Sequence, residues 1–287
     1  MWGQRAASGS GRLLQPPHER HADGACLAWI SRLGGFFGLR RGLECFDANR
    51  FHMPHRMLTL DELARQLGRD RRVLEKLANR GRIPGRKVGG VWQFHPTEIR
   101  HWLEEQMRDY DSDQLQVIEE TQHSDEVDAE VPVSSLLSRE TVEVPLLART
   151  KRSVIENLIE VAGRTWHVWK PAEILKAVLD REAIMSTGFE NGVAIPHPRN
   201  PVPDSLGASV ISFGRTLSGI PFGAPKRRLS DLFFLVLCKD SRTHLQVLAR
   251  LGRMMQLPEF VEQLREAEDS RTAYEIICDA DRHVSEK

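Results

Sequence analysis

One stretch restricts the fold more than any other: residues 231–238 read DLFFLVLC, apolar at every position after the aspartate. An unbroken apolar run of strand length, without alternation, is a strand buried on both faces, and it needs helices above and below it. The neighbouring sequence supplies them. Val154, Ile155, Leu158, Ile159 and Ala162 recur at helical spacing, and Pro171 opens a second helix carrying Ile174, Leu175, Val178 and Leu179. GASVISFG reads as another strand, and SRTHLQVLARLGRMMQL, PEFVEQLREAE and RTAYEIICDA close the chain as helices. The fold class expected of this half is therefore α/β, a mixed sheet flanked by helices.

A different pattern precedes it. Thr59 is a good N-cap, Asp61 and Glu62 lie in the first turn, and Leu60, Leu63, Ala64 and Leu67 form an apolar face that ends at Gly68. A second helix from Asp70 turns Val73, Leu74 and Leu77 inward and Arg71, Arg72, Lys76 and Arg80 outward, until Gly81 stops it. Two short helices about a tight turn are a helix-turn-helix signal. In IPGRKVGGVWQFHPTEI the VGG turn and alternating VWQF predict a β-hairpin wing. Pro96 then opens a third helix with Ile99, Trp102, Leu103 and Met107 at core spacing, and Trp92 and Phe94 share the inner side of the hairpin.

The chain of 287 residues is long enough for two modest cores. Lys+Arg and Asp+Glu both number 40, but the balance hides a basic 57–107 and an acidic stretch after Asp109. The resulting division is 1–52 as a disordered or mis-assigned extension, with Met53 or Met57 as the expected start, 53–108 as a winged helix-turn-helix, 109–142 as an acidic linker, and 143–287 as the α/β domain. The linker is expected to be able to fold back on the basic module and compete with DNA. Cys26, Cys45, Cys238 and Cys278 are scattered with no metal or disulfide pattern. CLAWISRLGGFFGL is too short to cross a bilayer and is followed by no cleavage site, so the expectation is no membrane insertion and a cytoplasmic location.

The chemistry centres on GVAIPHPRN. Pro196 and Pro198 keep His197 out of any regular helix and hold it on a stiff loop. A metal set of His167, His197 and His244 is set aside because no carboxylate or cysteine stands at ligand spacing, so metal and cofactor are both expected to be none. Together DREAIMSTGFENGVAIPHPRN, LFFLVL and DSRTHLQVL resemble the fructose/mannitol-type EIIA domain of the bacterial phosphotransferase system, including its nitrogen-regulatory branch, over roughly residues 143 to 283. That resemblance implies that His197 accepts a phosphoryl group from phospho-HPr or an HPr-like carrier. It also implies that His244 donates a hydrogen bond to the group, that Arg181 offers a guanidinium fork, and that Ser186, Thr187 and Asn191 support the loop. Neutral imidazole is a competent nucleophile near pH 7, and the rest of the task is positioning and charge neutralisation. Pro198 stands where many relatives carry glycine, which stiffens the loop and removes an N–H, and so bears on the transfer rate.

Residues 57–107 in turn resemble excisionase and MerR-like winged helix-turn-helix domains, through the helix pair, the GRIPGRKVGG wing and the WQF ending. The resemblance implies double-stranded DNA as a partner, with Arg69, Arg71, Arg72 and Lys76 near the groove and Arg82, Arg86 and Lys87 on phosphates. A single module of this size binds weakly, so an oligomer or a partner is expected. The combined expectation is a phosphohistidine-carrying regulator, with a relay to a permease EIIB domain or a non-catalytic interaction module as alternatives.

Overall fold

Thr59 closes a capping box: its hydroxyl accepts from the Glu62 amide at 3.2 Å while the Glu62 carboxylate accepts from the Thr59 amide at 2.8 Å. In the computed structural model, which describes residues 56–121 and 131–286, this box starts α1 (Leu60–Gln66). Asp70 caps α2 (Arg71–Asn79) through the amides of Arg72 and Val73. The wing follows as β1 (Arg86–Val88) and β2 (Val91–Gln93), antiparallel with Val88 opposite Val91. Gly89 and Gly90 both have positive φ, +57° and +84°, which is what a two-residue hairpin turn needs. Pro96 occupies the first turn of α3 (Pro96–Gln106), as expected. Val73, expected to face inward, is instead half exposed, and Leu74 and Ala78 supply the buried side of α2.

Part of the expected acidic linker, around DQLQVIEE, is helical. Residues Ser112–Thr121 form a helix, α4, whose Leu115 and Ile118 are buried. Both join the core of the first module, and Leu245 and Ala249 from the second half complete the same cluster. Residues 122–130 and the expectations for 1–55, including disorder, the start site, Cys26 and Cys45, lie outside the described residues.

The second module opens with α5 (Val133–Leu136) and β3 (Val142–Glu143). It continues with α6 (Lys151–Gly163), α7 (Pro171–Ile184), β4 (Val193–Ala194), β5 (Val210–Ile220) and β6 (Ser230–Leu237). Three helices end the chain: α8 (Ser241–Met255), α9 (Phe260–Glu266) and α10 (Ser270–Ser285). Strand order is β3-β5-β6-β4. β5 and β6 are antiparallel, while β3 on β5 and β4 on β6 are parallel, so the sheet is mixed.

β6 is interior and covered on both faces. Leu232, Phe234 and Val236 pack with residues of α8 to α10, whereas Phe233, Leu235 and Leu237 pack with those of α6 and α7. Each such side chain contributes about 1.5–3 kcal/mol on burial, which makes this strand the anchor of the domain. Its parallel neighbour β4 ends directly before the histidine loop.

Candidate phosphoryl-transfer site

The loop after β4 is pinned before it reaches His197. The Ile195 amide donates to the Thr187 carbonyl at 3.2 Å, and the Pro196 carbonyl accepts from the Val236 amide on β6 at 3.0 Å. His197 Nδ1 lies 2.7 Å from the Ile195 carbonyl oxygen. A carbonyl can only accept, so Nδ1 carries a proton, and Nε2 is the ring nitrogen turned toward the site.

His244 comes from the first turn of α8, capped by Asp240. Its backbone amide is already paired with the Asp240 carbonyl, so the imidazole rather than an open helix amide faces the site. The two rings stand edge to face with centroids 5.0 Å apart, and both are 4% exposed. Arg181, at the end of α7, is likewise buried and donates to the Met185 carbonyl at 2.8 Å. His197, Arg181, Thr187 and Asn191 line one cavity of about 210 Å³. Ser186 is not in that lining; its hydroxyl donates to the Phe222 carbonyl and accepts from the Gly188 amide, shaping the loop from behind.

Four charged residues outside the expected site set complete the site. Glu182 takes the Thr187 amide at 3.0 Å and the Thr187 hydroxyl on one oxygen, and Lys151 at 3.0 Å on the other. The remaining three lie one helical turn apart in and just after α3. Arg100 donates to Ser241 Oγ at 2.6 Å, to Asn200 Oδ1 at 2.5 Å and to the Arg199 carbonyl at 3.1 Å. Arg108 donates to the Gly188 carbonyl at 2.7 Å and lies over the Phe189 ring. Between them, Glu104 Oε1 accepts from His244 Nε2 at 3.2 Å, and its Oε2 stands 3.7 Å from His197 Nε2. The sequence signal was present but faint: Arg100 and Glu104 flank the apolar stripe of Ile99, Leu103 and Met107.

Burial pushes the Glu104 carboxyl up, but the two imidazoles against it outweigh that and hold it well below the usual carboxylate range. Burial lowers the His244 pKa, with the Glu104 hydrogen bond opposing. Burial also lowers that of Arg108, and the Arg181 guanidinium adds to the effect. The cavity thus brings two guanidiniums and an imidazole together, a set that can hold an anion.

The expectation that no carboxylate lies near the histidines is corrected by Glu104, which arrives from the other half of the chain. Glu104, His197 and His244 each offer a ligand atom within 4.8 Å of the others, a donor set of the kind zinc takes. His167 is not part of that set.

On the first module, Arg71, Arg72, Lys76, Arg82, Arg86 and Lys87 are exposed, while Arg69 is half buried and stacks on Tyr110. Arg71 pairs with Asp61 at 2.7 Å. The α4 segment of the expected linker does not engage this surface through its buried acid: Glu119 binds Arg250 and Arg253 of α8.

The α/β domain and the helix-turn-helix joined to it each have a counterpart among known proteins. Residues 135–280 match the family model for the phosphoenolpyruvate-dependent sugar phosphotransferase system, EIIA 2, and the chain belongs to that family. Residues 57–107 match a helix-turn-helix domain. Over 152 residues the chain is 28% identical to the fructose-specific EIIABC component of Bacillus subtilis, covering 52% of this chain and 24% of that protein. It is 30% identical over 156 residues to the nitrogen regulatory protein of Escherichia coli, covering 54% of this chain and 94% of that protein. The crystal structure of nitrogen regulatory protein IIA-Ntr from Neisseria meningitidis superposes with a TM-score of 0.46 at 22% identity, over 50% of this chain and 98% of that one. Among the described residues no helix is long and apolar enough to cross a membrane.

Proposed function

We propose that this protein accepts a phosphoryl group on His197 Nε2 from a phosphorylated HPr-like carrier and uses the modification to report to its helix-turn-helix half, as a cytosolic regulator. The observation that carries the reading is the fixed tautomer: Nδ1 bound to the Ile195 carbonyl at 2.7 Å leaves Nε2 as the nucleophile, beside His244 and above the cavity that Arg181 lines. The Nε2 lone pair forms the new P–N bond as the carrier's P–N bond breaks, and the carrier imidazole leaves with the bonding pair. His244 donates to a phosphoryl oxygen and Arg181 supplies positive charge, the electrostatic part of the task. Ser186, Thr187 and Asn191, with Glu182 behind them, hold the loop in place. The exposed basic residues of α2 and the wing support double-stranded DNA as the second partner.

The test is incubation with enzyme I, HPr and labelled phosphoenolpyruvate. Wild type is expected to take up one label that His197→Ala lacks; label persisting in the variant, or absent from wild type, would sink the assignment.

A further inference from the structure

Glu104 has no place in that chemistry, yet it stands at the centre of the site. We infer that α3 is a stopper for the phosphoryl site: the Glu104 carboxylate occupies the position the phosphoryl group must take between His197 and His244, so docking of the first module and phosphorylation exclude each other. This rests on His197 being the acceptor.

Three observations carry it. The first is position. Oε1 already uses the Nε2–H of His244 that a phosphoryl oxygen would need, and Oε2 faces the reactive Nε2 of His197 at 3.7 Å. Phosphorus bonded to that nitrogen would carry its oxygens into the space where Oε2 stands, and both groups are anionic. The second is that Oε2 and His197 Nε2 are buried without a hydrogen-bond partner among the described residues, so the two histidines have settled on a carboxylate that fills their site incompletely. The third is access. Arg100 grips Arg199 and Asn200, just beyond His197, and Ser241, at the start of the helix bearing His244, while Arg108 grips Gly188. α3 and the turn after it thereby grip the loops on either side of the site and cover the face through which a carrier's phosphohistidine would have to enter; His197 is 4% exposed beneath them. The α4–α8 pairs of Glu119 are a second latch on the same closed form.

Transfer then proceeds from an open form in which α3 has left. Once His197 is phosphorylated, Glu104 cannot return, and the first module passes from docked to tethered. The exposed α2 and wing are available to DNA in either form, so what changes is the freedom of the module rather than its covering.

The test uses the full chain and a small donor, phosphoramidate, in EDTA so that no ion bridges Glu104 and the histidines. The His197 Nε2–P bond forms as the donor P–N bond breaks, ammonia leaves with the bonding pair, and His197 Nδ1 keeps its proton. Labelling of His197 is followed by intact mass and peptide mapping. Glu104→Ala is expected to label about tenfold faster than wild type or more, as for a competent form populated at about 10% or less. Arg100→Ala removes the grip on Ser241, Asn200 and Arg199 and a guanidinium 3.8 Å from the Glu104 carboxylate, but keeps the residue at 104; it is expected to be accelerated too, which separates release of α3 from a cavity at residue 104. In phosphorylated wild type, amides of residues 96–106 are expected to exchange with deuterium faster than in the unmodified protein. Unaccelerated labelling of both variants with His197→Ala unlabelled, or unchanged exchange after phosphorylation, overturns the stopper and leaves the acceptor standing. No label on His197 in any of the proteins overturns both.

Discussion

Glu119 on α4 and Arg253 on α8 meet at 2.8 Å out of contact with solvent, and the other oxygen of the same carboxylate takes Arg250. Arg250 is held from its far side by Asp281 on α10, so one chain of alternating charges runs from the end of the first module into the last helix. Buried pairs of this kind gain little over an apolar core, but removing one member leaves its partner's charge stranded. Glu119→Ala is therefore expected to destabilise the protein by about 3–5 kcal/mol, read from urea midpoints, with Glu119→Gln milder. A loss below about 1 kcal/mol would show that the pairs are effectively solvated.

His244 offers the Nε2–H that Glu104 now uses and that a phosphoryl oxygen would take. Because truncating it also loosens α3, the two effects must be separated by working in a Glu104→Ala background. There, His244→Ala is expected to slow transfer from phospho-HPr by about 10²–10³, the cost of one preorganised donor. His244→Gln, which keeps an N–H at similar reach, is expected to recover part of the loss. Equal rates for the three proteins in rapid-quench assays would remove His244 from the reaction.

The sheet and the histidine loop were legible because their signals are local. A continuous apolar strand admits only a doubly covered position, and a histidine between two prolines admits only a loop. Val73 misled because it lies one turn before Leu77, but it points about 100° away from Leu74, and the buried stripe of α2 runs through Leu74 and Ala78. Glu104 was hard to read for a different reason. Its partners lie in another module, and on an isolated winged helix a glutamate at that position is an ordinary solvated residue. Only the packing of α3 on α8 turns it into a buried carboxylate, and its own helix offers no more than the faint signal of its place beside the apolar stripe.

The depressed pKa of His244 fixes a pH dependence. Burial lowers it first; His197 and Arg100 facing the ring push the same way, and Glu104 opposes. His101, whose ring meets the Arg199 carbonyl at 3.0 Å, is lowered by burial as well. A group depressed in the folded form takes up its proton more readily when unfolded. Its stabilisation is therefore complete above about pH 6.5 and declines as pH falls toward the folded value, by at most about 1.4 kcal/mol per unit per group. The Glu104 carboxyl, held well below its usual range, keeps its contribution down to about pH 4.3 and loses it only in stronger acid. The melting temperature is thus expected to drop between about pH 7 and 5. His244→Gln should flatten that drop, and adding His101→Gln should flatten it further; an unchanged slope in the double variant would assign the drop elsewhere.

The basic face of the first module makes a graded prediction on random duplex DNA. Arg86 and Lys87 are exposed on β1, with the Lys87 ammonium 5.9 Å above the Trp92 ring, and among the described residues neither is tied to a carboxylate. A cation that neutralises one phosphate displaces one condensed counterion, so removing it should lower the slope of log K against log salt by about one. Arg86→Ala and Lys87→Ala are each expected to do so. Arg72 and Lys76 on α2 are equally open, and their alanine variants should behave alike. Arg71 provides the internal contrast, because its guanidinium is already neutralised by Asp61 at 2.7 Å and must give up that pair to reach a phosphate. Arg71→Ala is therefore expected to change the slope least of the five. If all five variants bind random duplex with the wild-type slope in filter-binding titrations, the surface does not carry DNA, whatever its charge.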